Sequence, residues 1–145
     1  MKPTAILQLM VADHAKILKL LNEVEKSLGK DVTESLSAFN TFEWELEKHM
    51  FTEEKAIFTS YAPTNIYEGY KIVPELMKQH TRLSEYLKEM RDAIMWQKPT
   101  PYQDLKTLLL SHKTFEEVSF YPLLDQDLSD AQKNEIISRI KQMVK

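Results

Sequence analysis

The chain of 145 residues contains four histidines, His14, His49, His80 and His112. Two of them are followed four residues later by a glutamate, as His49-x-x-x-Glu53 and His112-x-x-x-Glu116. That spacing projects both members of each pair from one helix face. Imidazole and carboxylate are ligands for first-row metals. Four imidazoles with two carboxylates exceed the four donors of a structural zinc site and suit two ions. With open positions, the mixture favours iron, with manganese or a mixed iron–zinc pair behind it. In such a centre Glu53 and Glu116 bridge, His14 and His49 terminate one ion, and His80 and His112 the other. A lone histidine on an apolar face is ordinarily a hydrogen-bonded core residue. A lone glutamate there is rarer, because burying an unpaired carboxylate is costly. Six such groups in one layer make a poor core unless something cationic holds them.

The elements that position these groups are helices. Two glycines, six prolines and few β-branched runs predict an all-helical chain. Apolar residues recur at steps of three and four along four seams. The first is Leu7, Met10, His14, Ile17, Leu21, Val24 and Leu28, ended by Gly29. The second is Phe39, Phe42, Leu46, His49, Glu53, Ala56 and Ser60, opened by an Asp31–Glu34 cap and stopped before Pro63. Residues 61–72 read as an irregular connection. The third seam is Val73, Leu76, His80, Leu83, Leu87, Met90 and Ile94, in a helix starting near Pro74. The fourth is Leu105, Leu109, His112, Glu116, Ser119 and Leu123. A capping box over Thr100 to Gln103 opens it, and Pro122 should kink or end it near Tyr121. Ser129 to Gln132 caps a short last helix with Ile136, Ile137, Ile140 and Val144, which closes the bundle end or binds a partner. The fold expected is an all-α, up-down-up-down four-helix bundle with a short additional C-terminal helix, one domain over residues 1–145. With alternating helix directions and a 1.5 Å rise per residue, all six side chains fall within roughly 10 Å along the axis.

Composition removes other classes of function. The net charge is -3, against a nucleic-acid binder working from a basic face. Cysteine is absent, which excludes disulfides, thiol catalysis and cysteine-ligated clusters. Two isolated glycines cannot build a phosphate-cradling loop. No 18-residue stretch lacks charges, so no membrane span is expected, and the N-terminus lacks a convincing cleavage site. The expected location is cytoplasmic. Met10 and Met90 read as core fillers, Trp44 and Trp96 as boundary residues, and Glu54 and Glu117 as solvated surface, with Glu117 as the rival bridge to Glu116. Tyr86 and Tyr121 are within conceivable reach of the site.

Asp13-His14-x-x-Ile17-Leu18-x-Leu20-Leu21, His49-x-x-x-Glu53-Glu54, His80, and His112-x-x-x-Glu116-Glu117 before Phe120-Tyr121-Pro122 together resemble the hemerythrin-like family, in its HHE cation-binding branch. The resemblance covers about residues 5–125. It implies a non-haem centre of two iron ions per chain with a bridging oxo or hydroxo group. Members carry or sense O2, sense redox state or iron, or help repair damaged iron centres. The ligand implied is therefore a small diatomic molecule or a peroxide. Oxygen carriers of the family add a fifth histidine on the third helix. Leu76 and Ser84 stand four residues before and after His80 instead. The four-His, two-Glu set resembles the di-iron domain of the repair proteins, whose cysteine-containing N-terminal domain has no counterpart in this sequence. An iron- or redox-responsive interaction module is the rival reading, and a bundle with vestigial ligands a third.

Overall fold

The structure, a computed structural model, describes residues 5–60 and 66–143. It is all-helical, with no strand among the described residues. Helix α1 spans Ala5–Ser27 and α2 Val32–Thr52, continued by a π-helical turn at Glu53–Ile57 and a 3-10 turn at Phe58–Ser60. Helix α3 spans Ile66–Met95 and α4 Tyr102–Phe115. A second π-helical turn at Glu116–Phe120 leads into α5, Tyr121–Asp127, and α6 is Asp130–Met143. Consecutive long helices pack together, α1 on α2, α2 on α3 and α3 on α4, and α1 returns to α4, α5 and α6.

Local chemistry explains most of the boundaries. Gly29 takes φ +88, the left-handed conformation that ends α1 at little steric cost. The Asp31 carboxylate accepts the Glu34 N–H at 2.9 Å and starts α2. Ser129 and Gln132 cap α6 reciprocally, Ser129 N–H to Gln132 Oε1 at 2.8 Å and Gln132 N–H to Ser129 Oγ at 3.2 Å. The capping box expected at Thr100 does not form. Pro101 is itself the cap residue of α4 and no side chain bonds there. Helix α3 also begins at Ile66, about two turns before Pro74, and runs through the proline. Pro74 is exposed, so water can satisfy the carbonyl its missing N–H leaves free. Val144 and the stop before Pro63 lie outside the described residues.

The buried side chains form two apolar clusters with the polar groups between them. One joins Ile17, Leu21, Leu46, Leu83, Leu87 and Leu109 with their neighbours towards the α1–α2 turn. The other joins Ile6, Met10, Ile57, Leu76, Phe120 and Leu124 with Ile136 and Ile140 of α6. The last helix therefore closes one end of the molecule. Lys133, itself buried, ties it down by donating to the Asp125 carbonyl at 2.8 Å. Met10 and Met90 are core residues, whereas Trp44 and Trp96 are well exposed rather than at a boundary.

Candidate metal centre

Each of the four long helices delivers one histidine to the layer between the clusters. On α1, His14 lies between Met10 and Ile17. On α3, His80 lies between Leu76 and Leu83, and all these side chains are buried. The two glutamates arrive differently, each as the first residue of a π-helical turn directly after an α-helix. A π turn admits one extra residue, and such turns are frequent at functional sites. After Glu116 the inward residues are Phe120 and Tyr121 rather than Ser119, which is exposed, or Leu123, which is only half-buried. The α-helical seam expected past Glu116 thus slips by one residue. After Glu53, Ala56 and Ile57 both face inward.

The slip also turns the second glutamate of each pair. Glu53 Oε1 lies 3.0 Å from His80 Nε2, while Glu54 Oε2 accepts from His80 Nδ1 at 2.8 Å. Glu116 Oε1 lies 3.0 Å from His14 Nε2, while Glu117 Oε2 accepts from His14 Nδ1 at 2.7 Å. Adjacent glutamates therefore hold both nitrogens of one ring. Glu54 and Glu117, expected on the solvated surface, are partly buried and engaged. The remaining two rings are held by residues preceding a histidine. His49 Nδ1 donates to Asp13 Oδ2 and His112 Nδ1 to Gln79 Oε1, each at 2.5 Å. All four Nδ1–H groups are thus spent on outer acceptors, and all four Nε2 atoms face inward.

The inner atoms crowd together. His14 and His49 Nε2 are 3.1 Å apart. His49 Nε2 is 3.4 Å from Glu53 Oε1, and His112 Nε2 is 3.2 Å from Glu116 Oε1. Glu53, His80, His112 and Glu116 offer donor atoms all within 4.8 Å of one another, as do His14, His49 and Glu116. The structure thus brings together all six residues singled out from the sequence. Tyr121 joins them, its hydroxyl 2.7 Å from Glu53 Oε2, 2.9 Å from Glu116 Oε1 and 3.5 Å from His14 Nε2. Tyr86 does not. It lies half-buried against the first cluster, under the Arg82 guanidinium.

Charge follows this geometry in the metal-free protein. Burial alone would lower the pKa of His112, but Glu116 and Glu53 outweigh it and hold it at about 9. His49 is likewise raised well above the ordinary value, since Glu53 and Asp13 overcome its desolvation. Burial would raise Glu53 and Glu116, yet the neighbouring imidazoles hold both below the usual carboxylate range. Burial, with Glu116 and Glu53, pushes the Tyr121 phenol well above its ordinary value, so it stays a neutral donor.

The donor set fits a transition-metal ion. Imidazole with carboxylate is iron, manganese or zinc chemistry. Two buried atoms inside the layer, His112 Nε2 and Glu116 Oε2, have no hydrogen-bond partner, which a native core rarely tolerates. A cation between them would supply one. A cavity of about 300 Å³ between α1, α2 and α6 is lined by Asp13, Lys16, Lys48, Thr52 and Ile140, beside the residues that hold His49. Tyr121→Phe should lower the stability of the metal-free protein by roughly 1–3 kcal/mol, because buried carboxylate oxygens lose their donor. The loss should be smaller in the metal-bound form. Urea unfolding of both forms checks this, and equal losses would show that the phenol does not serve the carboxylates.

Sequence reasoning missed the roles of Asp13, Glu54 and Gln79, named Tyr121 only as able to reach the site, and named Glu117 as a rival bridge where it instead accepts from the His14 Nδ1–H. The signals available were the doubled Glu-Glu after each His-x-x-x, and the apolar doublets Ala56-Ile57 and Phe120-Tyr121 a few residues on. No curated protein and no solved structure matches the chain. The hemerythrin HHE cation binding domain matches residues 5–124, from α1 into α5 and across every residue of this layer. With its histidines and glutamates in one buried layer, the chain belongs to the hemerythrin HHE cation-binding domain family.

Proposed function

We propose that the chain is a single-domain, four-helix up-down-up-down protein holding a non-haem di-iron centre, at which O2, peroxide or nitric oxide binds or is reduced. The observation that carries this reading is the commitment of every histidine Nδ1–H to an outer acceptor. Four inward Nε2 atoms and two buried carboxylates are then left facing one another. His14, His49, His80 and His112 would hold the ions with Glu53 and Glu116. Bound iron would supply the change of oxidation state and exchangeable positions for a small ligand. The chain's own residues fix the rings, present the Tyr121 hydroxyl and close the layer with an apolar cluster on each side. The helix contacts support the bundle topology. No helix among the described residues is long and apolar enough to cross a membrane. The cytoplasm is the compartment proposed.

Leu76, one turn before His80, is fully buried among apolar neighbours, so each half of the centre has two imidazoles. Neither half would be closed by protein, and reversible oxygen carriage is the less suitable role. Anaerobic reconstitution should give two iron ions per chain. Oxygen admitted to the reduced protein should be consumed and not recovered under vacuum. Recoverable oxygen would overturn the reading as an oxidant-reducing centre, and fewer than two tightly bound ions would overturn the di-iron assignment. The rival reading, an iron-responsive module, gains support from α6, which packs on the π-helical turn carrying Glu53. A change in α6 protection on metal binding, without catalytic turnover, would favour it.

A further inference from the structure

The layer is built from two equivalent halves, and the differences between them are informative. His14 of α1 corresponds to His80 of α3. Each is gripped by adjacent glutamates of a π-helical turn, Glu116 with Glu117 or Glu53 with Glu54. His49 corresponds to His112, each donating its Nδ1–H to the residue that precedes the other half-partner, Asp13 or Gln79. Two positions break the equivalence. One acceptor is a carboxylate and the other a neutral amide. The residue closing each π-helical turn also differs. Tyr121 stacks on His14 at a centroid distance of 5.8 Å as its counterpart Phe58 stacks on His80 at 5.6 Å, but Tyr121 also brings a hydroxyl to the layer.

From these differences we infer that the two halves sort ions by charge: the His14–His49 half takes the more highly charged ion and the His80–His112 half the less charged one. The inference rests on the two-ion reading above and adds the residues that tell the ions apart.

An imidazole whose N–H bonds a carboxylate is a stronger, more negatively polarised ligand than one bonded to an amide. Both rings of the first half have such a partner, Glu117 and Asp13. In the second half only His80 does, through Glu54. Lys113 lies 3.3 Å from Glu117 Oε1 and offsets part of that charge. Asp13 pairs with His49 itself, and the nearby Lys48 ammonium offsets part of its charge as well. The Tyr121 hydroxyl donates to Glu53 and Glu116 and lies 3.5 Å from His14, so it serves both halves. Glu53 and Glu116 lie among rings of both halves, so the carboxylates do not separate them. The acceptor behind the second ring, Asp13 for His49 and Gln79 for His112, is the difference that favours the more highly charged ion in the first half.

The test uses two redox-inert ions, gallium(III) supplied as citrate and zinc(II), one equivalent of each added to the metal-free full chain. Anomalous scattering from crystals at the two absorption edges identifies each ion. Gallium should favour the His14–His49 half about tenfold or more, within the range by which outer hydrogen-bond partners alter metal affinity. The paired variant Asp13→Asn with Gln79→Glu exchanges acid for amide with little change of shape and should reverse the distribution. Gln79→Glu alone should erase the preference, which covers the case in which the pair fails to fold. Imidazole nitrogen shifts in solution give a second readout. Two ions distributed equally, or a wild-type distribution retained in the variants, would overturn the charge sorting and leave the two-ion reading intact. An empty layer, or a single ion per chain, would overturn that reading and the sorting with it.

Discussion

Chelating the metal should lower the melting temperature by on the order of 10 °C, the shift expected for ~4 kcal/mol in a domain of this size. The layer between the two apolar clusters holds four imidazoles and two carboxylates, all nearly inaccessible to water. Metal-free, their mutual hydrogen bonds are incomplete, as the unpartnered His112 Nε2 and Glu116 Oε2 show. A bound cation satisfies these atoms in the folded state only, so its binding free energy becomes folding free energy. Calorimetry with and without a chelator measures the shift directly. Glu53→Ala should abolish most of it, because Glu53 lies beside His49 and His80 and receives the Tyr121 hydroxyl. A metal-free protein melting no lower than the loaded one would contradict the coupling.

What the sequence made legible divides along a physical line. A seam of threes and fours identifies residues on the inner side of an α-helix. His14, Ile17, Leu21, Leu83, Leu87 and Leu109 are buried as that pattern requires. The six inner groups were legible for the same reason, since burying a histidine or glutamate on such a seam is costly and noticeable. The pattern fails where the helix ceases to be α. At Glu53 and Glu116 one added residue per turn shifts the inner face, so Phe120 replaces Ser119 and the neighbouring glutamates swing onto the rings. Asp13 and Gln79 escaped for another reason. Each sits beside a histidine on its own helix yet bonds a ring on the next, a contact that only helix packing creates. The early start of α3 escaped because Pro74 reads as a first-turn residue, and nothing local reveals that its exposure makes an interior position tolerable.

The stability that metal adds should grow between pH 6 and 9, because acid and base act oppositely on the two forms. In the metal-free protein His49 and His112 carry protons near neutrality and balance Glu53 and Glu116. The folded-state pKa of His112 is about 9, against 6.5 for a free imidazole. A group raised in this way stabilises the fold fully below about pH 6.5, and that contribution is lost as pH rises through about 9. For His112 alone the loss is on the order of 3 kcal/mol. Glu53 and Glu116, lowered by the same contacts, contribute above about pH 4.5 and lose their contribution as pH falls through their lowered values. The metal-free protein should therefore be most stable in the mildly acidic range. Metal binding has the opposite sign, since it needs the inward Nε2 atoms free of protons. Filling the layer should release about two protons per chain near neutrality. Apparent affinity for the pair should rise with pH and level off as His112 loses its proton. Melting curves in zinc(II) and in chelator at pH 6, 7, 8 and 9 check this, with the gap expected to widen at each step. A constant or narrowing gap would show that His49 and His112 are not the protonated partners of Glu53 and Glu116.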